Sequence, residues 1–389
     1  MFLQKSFKVA INFNKPYSTG KEVGFIKQAI ASGHLSGNGI FTEKCHNLFE
    51  SKYGLKNSLL TTSCTDALEM ASLLLEIKPG DEIIVPSFAF VSTALAFYRE
   101  GAKIVFADSR QDHPGIDEDR IETLITHKTK AIVVVHYAGV SCDMNKIMTL
   151  ALKNNLIVIE DAAHAIDATY LNQPLGTIGN FGCFSFHESK NIHCGEGGML
   201  SVNDDKYFAR AKNIREKGTN RTSFDTGKVS YYEWVDTGSS FALSDINAAF
   251  LLSQIEEIGY SQKSRLKIWD CYYRGLKKLE EQGLLRLPVI PSYASNNGNM
   301  FYLICRTESE RQKLISYLLK KQVYALFHYR CLHSSRIMNV AGNNGETIFD
   351  NAILYQDRLV RLPFYTNMPE ESCQLIIEYV CNFFNIVKE

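Results

Sequence analysis

Residues 181–198 read FGCFSFHESKNIHCGEGG, and the order of residue types in this stretch decides how the rest of the chain is read. A short aromatic run reaches Ser185, a lysine follows at Lys190, and Gly195, Gly197 and Gly198 close the segment. Lysine is ordinarily a solvated charge. Set between an apolar strand and a glycine-rich turn, its amine is held in a crowded, partly desolvated site, which lowers its pKa and prepares it to condense with a carbonyl. Ser185, five residues earlier, is within reach of a phosphate.

Upstream, residues 156–165 read LIVIEDAAHA, an apolar strand ending in two carboxylates, small residues and a histidine. In an open α/β sheet, ligands bind at the carboxyl ends of strands. Asp161 falls just past this strand, where a buried carboxylate needs a cationic partner to stay ionised. Read alone, it serves equally well as a helix cap. Further upstream, LTTSCTDAL (60–68) places hydroxyl residues at a strand–helix junction. A helix start of this kind binds phosphate through free N–H groups and the positive dipole end, although such residues also act as plain caps.

From about residue 20 to 254, helical periodicity alternates with short apolar runs at 82–85, 103–107, 131–136, 156–159 and 183–186. This is the signature of an α/β domain with a mostly parallel sheet covered by helices such as 66–76 and 143–153. One long helical stretch, 244–282, leads out of it. After a Pro-, Ser- and Asn-rich loop at 288–298, the spacing predicts a strand over 300–305, a helix over 310–321, a strand over 323–327 and a terminal helix near 370–384. A large domain, 1–258, followed by a smaller α+β domain, 259–389, is therefore expected. A chain of 389 residues suits two domains.

Lys plus Arg and Asp plus Glu number 42 each, so no global field recruits nucleic acid or an acidic membrane surface. An anionic ligand must be held by a local site. No run of about 18 uncharged apolar residues occurs, and residues 1–15 lack the continuous apolar segment of a secretory signal, so a soluble, cytoplasmic protein is expected. The ten cysteines are scattered without a CxxC pair, which reads as reduced thiols.

Taken in order, the hydroxyl-rich turn, PSFAF at 86–90, EDAAH at 160–164 and SFHESKN at 185–191 resemble the DegT/DnrJ/StrS sugar aminotransferases. These are fold-type I enzymes that use pyridoxal 5′-phosphate (PLP). The resemblance continues through HYAGV (136–140), LGTIG (175–179) and REKGTNR (215–221), nearly the whole chain. It implies that Lys190 matches the Schiff-base lysine, Asp161 the acid facing the pyridine nitrogen, and His164 the residue beside the phenolic oxygen. Phe90 takes the place of the aromatic stacked on the cofactor ring. Thr65, with the adjoining Cys64 and Asp66 backbone, matches the phosphate turn, and Ser185 its side-chain donor.

REKGTNR, together with FHY at 327–329, is most similar to members that use glutamate to aminate C4 of dTDP-4-keto-6-deoxyglucose, giving dTDP-4-amino-4,6-dideoxygalactose for a cell-surface polysaccharide. In that case His328 and Tyr329 face the nucleotide-sugar. The resemblance also implies a homodimer, carried by GSSFALSDINAA (238–249). Within that loop Ser240 stands where several relatives have an Asn that reaches the partner subunit's cofactor phosphate.

Other readings are narrowed by particular residues. The family's dehydratases replace the lysine with histidine, so Lys190 argues against them. A nucleotide-binding dehydrogenase needs a GxGxxG turn after its first strand, and none is present. A non-catalytic binding protein fits poorly with Lys190 and Asp161 together. A 3-amino or a gluco-configured 4-amino product stays open. His328, Cys331 and His333 have a spacing that a metal can use, but no fourth ligand is evident and no metal is expected. His136, His187 and His193 read as hydrogen-bonded structural histidines.

Overall fold

The computed structural model describes residues 10–340 and 348–386; residues 1–9 of the N-terminal segment read above for a signal lie outside them. Short runs of β-branched and aromatic residues form the seven strands of the main sheet. They are β1 (Ser58–Thr61), β2 (Glu82–Pro86), β3 (Lys103–Ala107), β4 (Thr129–Val135), β5 (Ile157–Asp161), β6 (Phe181–Ser185) and β7 (Gly198–Val202). Their spatial order is β1-β7-β6-β5-β4-β2-β3. The pairs β3–β2, β2–β4, β4–β5 and β5–β6 are parallel, and only β7 runs against its neighbours β6 and β1.

Alternation along the strands builds two apolar layers, since successive side chains point to opposite faces. Ile83, Val85, Val133 and Ile159 join one core with Ala67, Met70 and Phe97, from the helices Cys64–Leu74 and Ser92–Arg99. Ile84, Ile132, Val134 and Val158 join the other with Phe49, Ile147 and Leu251, from Ile40–Tyr53, Met144–Lys153 and Asp245–Glu256. Both faces are covered, which is why β4 carries the continuous run Ala131–Val135 rather than an apolar–polar alternation.

Beside the edge strand β1, β7 begins at Gly198 against the turn that follows β1. A Cβ there would lie 2.3 Å from the Ser63 carbonyl carbon and 2.5 Å from the Cys64 nitrogen, so only glycine lets the two backbones approach.

A second, antiparallel sheet follows, with β8 (Leu285–Arg286), β9 (Tyr302–Cys305) and β10 (Leu359–Arg361). Its core joins Phe301 and Leu303 to Tyr272, Leu314 and Ile376 of the helices Ile258–Glu281, Glu308–Lys320 and Glu370–Ile386.

Two expectations need correction. The helical stretch 244–282 is two helices, Asp245–Glu256 and Ile258–Glu281, interrupted at Glu257 (φ −100°, ψ 11°). The first buries Leu251, Leu252 and Ile255 against the large sheet, whereas the second buries Ile268, Tyr272 and Leu276 against the small one, so the axis must turn between them. The strand expected at 323–327 is extended chain with isolated bridges, Val323 to Ile11 and Leu326 to Arg361. Conversely β10, three residues long, is too short to show a period and was not expected. Among the described residues no helix is long and apolar enough to cross a membrane.

Candidate active site

The carboxyl ends of β1, β2, β5 and β6 open into a cleft of about 690 Å³, whose far wall is formed by residues 326–329 and Arg361. Nine of the ten residues singled out in the sequence line it: Cys64, Thr65, Phe90, Asp161, His164, Ser185, Lys190, His328 and Tyr329. Asp66 does not. Its backbone N–H donates to Ser63 Oγ at 3.0 Å, and its carboxylate takes a hydrogen bond from Thr62 Oγ1.

Asp161 ends β5 with its carboxyl group buried. Oδ2 accepts from Thr93 Oγ1 at 2.8 Å and Oδ1 from the Ala163 N–H at 3.2 Å. Burial raises its pKa above the usual carboxylate value, while Thr93, the Ala163 amide, Lys190 and His136 pull the other way. Asp161 is therefore held in position but short of positive charge, so a cation brought to it is bound and in turn keeps it ionised.

Lys190 follows β6 in a tight turn, its N–H donating to the His187 carbonyl at 2.9 Å. Desolvation lowers its pKa to about 8, with Arg361 acting in the same direction and Cys64 and Asp161 opposing. The amine thus reaches its neutral, nucleophilic form more than two pH units below an ordinary lysine. The Cys64 thiol beside it is pushed well up by burial and donates to the Cys183 carbonyl, which makes it inert.

The helix Cys64–Leu74 starts at the cleft, capped by Ser63. Its first-turn N–H groups have no carbonyls of their own helix to bond. Thr65 Oγ1 lies 2.7 Å from Ser92 Oγ, and Ser185 Oγ lines the same cavity. Hydroxyls and a helix N-terminus together suit a phosphate. Phe90 stands above, 55 % exposed, its ring 6.1 Å from that of Tyr329, an apolar surface left open to the cavity.

His164 and His328 form the other wall, their rings 6.5 Å apart. Burial pushes both pKa values well below the ordinary histidine range, so both are neutral. The Ala138 N–H donates to His164 Nδ1 at 3.3 Å, which places the proton of the neutral ring on Nε2, a donor. Arg361 Nη1 donates to His328 Nε2 at 3.0 Å, so the Nδ1–H of His328 donates to the Tyr137 hydroxyl at 3.0 Å.

The remaining polar clusters have structural partners. His333 Nδ1 lies 2.5 Å from Ser87 Oγ, the Cys331 N–H donates to Gln356 Oε1 at 2.9 Å, and no group of three or more His, Cys, Asp or Glu suited to a metal occurs among the described residues. His136 Nε2 sits 2.9 Å from Glu160 Oε2, and His193 Nε2 2.9 Å from the Tyr17 carbonyl. His187 lies on the cleft wall, Nδ1 2.8 Å from Ser189 Oγ.

Thr93, Ser92, Asn299 and Arg361 were not anticipated. Thr93 lies 68 residues from the carboxylate it holds, and Arg361 comes from the other sheet. Neither sits in a motif whose local pattern betrays a site.

Residues 17–381 match the DegT/DnrJ/EryC1/StrS aminotransferase family. The uncharacterised protein MJ1066 of Methanocaldococcus jannaschii is 32% identical over 354 residues, covering 90% of each chain. The spore coat polysaccharide biosynthesis protein SpsC of Bacillus subtilis is 30% identical over 375 residues, 95% of each. Among solved structures, Spr1654 of Streptococcus pneumoniae in its PMP form superposes with a TM-score of 0.90 at 24% identity, covering 97% of this chain and all of that one, and it is also known in a PLP form. The fold, the cleft at the strand ends and these matches agree: the chain belongs to the DegT/DnrJ/EryC1/StrS family of sugar aminotransferases, enzymes that depend on PLP.

Proposed function

We propose that this enzyme transfers the amino group of glutamate to C4 of a nucleotide-linked 4-keto-6-deoxy sugar, dTDP-4-keto-6-deoxyglucose, giving the 4-amino-4,6-dideoxygalactose product, with Lys190 as the residue that holds PLP. The observation that carries the cofactor assignment is the pairing, in one cleft, of an amine of lowered pKa with a buried carboxylate that lacks a full counter-charge.

The residues present fit PLP group by group. Lys190 suits its aldehyde, Asp161 its pyridine nitrogen, and the Nε2–H of His164 its phenolic oxygen. The first turn of the helix Cys64–Leu74, with Thr65 and Ser185, suits its phosphate, and Phe90 suits the ring face. When bound, PLP supplies an electron-accepting ring through which an amino group passes from donor to acceptor.

The chain's own groups do the rest. Asp161, fixed by Thr93 and the Ala163 amide, holds a proton on the pyridine nitrogen. Lys190, whose amine is neutral above about pH 8, would move a proton from the donor's α-carbon and return one at the sugar's C4. Tyr329 and the ring face of His328, whose nitrogens are taken by Arg361 and Tyr137, form the wall against which the sugar is oriented, and that orientation decides which face of C4 receives the proton.

The choice of C4, the galacto product and the dTDP nucleotide rests on the likeness of REKGTNR and FHY to such enzymes, and the role of SpsC in spore coat polysaccharide biosynthesis is in keeping with it. The protein is read here as a homodimer whose 238–249 loop approaches the partner's site, with the chain divided at residues 258 and 259, where the core partner of the helices changes.

NMR of the product formed from each candidate keto-sugar tests the assignment. An axial C4 amine is expected; an equatorial C4 amine, or amination at C3, would overturn the substrate reading and leave the aminotransferase chemistry intact.

A further inference from the structure

Asn297, in the loop between β8 and β9, is buried and engages both ends of its side-chain amide. Nδ2 donates to the His164 carbonyl at 2.7 Å and to the Ile166 carbonyl at 2.8 Å, and Oδ1 accepts from the Asn299 N–H at 3.0 Å. Two carbonyls on one side and an N–H on the other leave a single orientation for the amide. The same side chain also reaches the turn that faces the histidine ring. Its Oδ1 packs on Gly139 (φ 77°), where a Cβ would collide with it. Gly139 follows Ala138 (φ 58°), whose N–H donates to His164 Nδ1. Asn297 is thus wedged between the backbone that carries His164 and the turn that fixes its tautomer.

The loop is itself held from two sides. Asn191, next to Lys190, donates through Nδ2 to the Asn297 carbonyl and to Gln262 Oε1, both at 2.8 Å, and accepts from Asn299 Nδ2 at 2.7 Å. Arg265, on the helix Ile258–Glu281, donates from Nε to the Gly298 carbonyl at 2.8 Å and from Nη2 to the Asn299 carbonyl at 2.6 Å. Buried hydrogen bonds joined in this way rigidify what they connect. Burial of a loop requires only that its polar groups be met; here both donors of Asn297 go to the segment carrying His164, more than 130 residues away. We propose that Asn297 is a positioning residue that acts through His164, holding the imidazole with its Nε2–H toward the phenolic oxygen of PLP. The inference rests on the reading of His164 beside that oxygen and adds the residue that fixes the histidine there.

The test uses the PLP-loaded enzyme as wild type, Asn297→Ala, Asn297→Ser, His164→Ala and the double variant His164→Ala/Asn297→Ala, and follows the cofactor absorbance as pH is varied. A hydrogen bond to the phenolic oxygen favours its anionic form. Without that bond the negative charge beside the Lys190 nitrogen is uncompensated, so that nitrogen keeps its proton to higher pH.

Asn297→Ala is expected to raise the midpoint by about half to one pH unit and His164→Ala by about one unit or more, the scale of one hydrogen bond to a charged group. The double variant should match His164→Ala within about 0.2 unit, because a residue that acts through another adds nothing once that one is gone. Asn297→Ser, which keeps one donor, should fall between wild type and Asn297→Ala. If His164→Ala shifts the midpoint but Asn297→Ala does not, or if the two shifts add in the double variant, the proposal is overturned and the reading of His164 stands. If His164→Ala leaves the midpoint unmoved, that reading falls and the proposal with it. Where Asn297→Ala does not retain PLP, Asn297→Ser, compared with and without His164→Ala, decides in the same way. Loss of PLP from both Asn297 variants would make Asn297 a structural residue and overturn the proposal.

Discussion

Replacing Glu160 with Gln is the sharpest test of how the turn at residues 176–179 is held against the end of β5. Both carboxylate oxygens are buried and face donors. Oε1 accepts from the N–H groups of Ile178 (2.7 Å) and Gly179 (2.6 Å), and Oε2 from that of Gly176 (2.7 Å) and from His136 Nε2 (2.9 Å). His136 donates there because its Nδ1 is used to accept from the Cys142 N–H at 3.4 Å. A glutamine keeps one acceptor oxygen. If that oxygen stays on Ile178 and Gly179, the amide NH2 faces the Gly176 N–H and the His136 N–H, two donors against donors.

Losing the two charge-assisted bonds to Gly176 and His136 costs about 1.5–3 kcal/mol each, roughly 3–6 kcal/mol together. A fall of about 4 kcal/mol follows, since the two surviving bonds also weaken when the charge goes. At roughly 2–4 °C per kcal/mol for a domain of about this size, the thermal midpoint of the PLP-loaded enzyme should drop by roughly 8–16 °C by differential scanning calorimetry. Hydrogen exchange should rise at the amides of residues 176–179. A midpoint within about 2 °C of wild type, with those amides still protected, would refute the claim that this carboxylate holds the turn.

Asp161→Asn preserves an acceptor for Thr93 or the Ala163 amide, so the protein should fold and keep PLP while turnover falls on the order of a hundredfold or more. Near-normal kcat would mean that Asp161 is only a cap. PLP added to the cofactor-free protein should be fixed by borohydride to Lys190, as mapped by peptide mass spectrometry. Because its lowered pKa frees the amine at lower pH, the rate of uptake should rise through about pH 8 rather than near the ordinary lysine value. An adduct on another lysine would refute the assignment. Sedimentation should give an active dimer, and Ser240→Asn should be tolerated or should tighten PLP; an active monomer would sink the dimer reading.

The order of elements, the α/β class and the strand ends that carry chemistry were legible in the chain itself. These depend on local properties: the continuous apolar runs of β4 and β5, the glycine turn after Lys190, and the hydroxyl cap at Ser63. Nine of ten proposed site residues line the cleft, and those of the large domain sit in short motifs that follow strands, where sequence neighbours are also spatial neighbours. Asp66 shows the limit of that reasoning. Membership of a turn does not say which way a side chain or an amide points, and its N–H was already committed to Ser63.

What needed the tertiary structure is whatever joins distant segments. The break at Glu257 follows from two cores competing for one helical stretch. The clamp of Thr93 on Asp161 and the approach of Arg361 to His328 are side-chain meetings across 68 and 33 residues. The neutral state of His164 and His328 and the shifted amine of Lys190 are likewise collective, because desolvation is set by everything packed around a group and not by its neighbours in the chain.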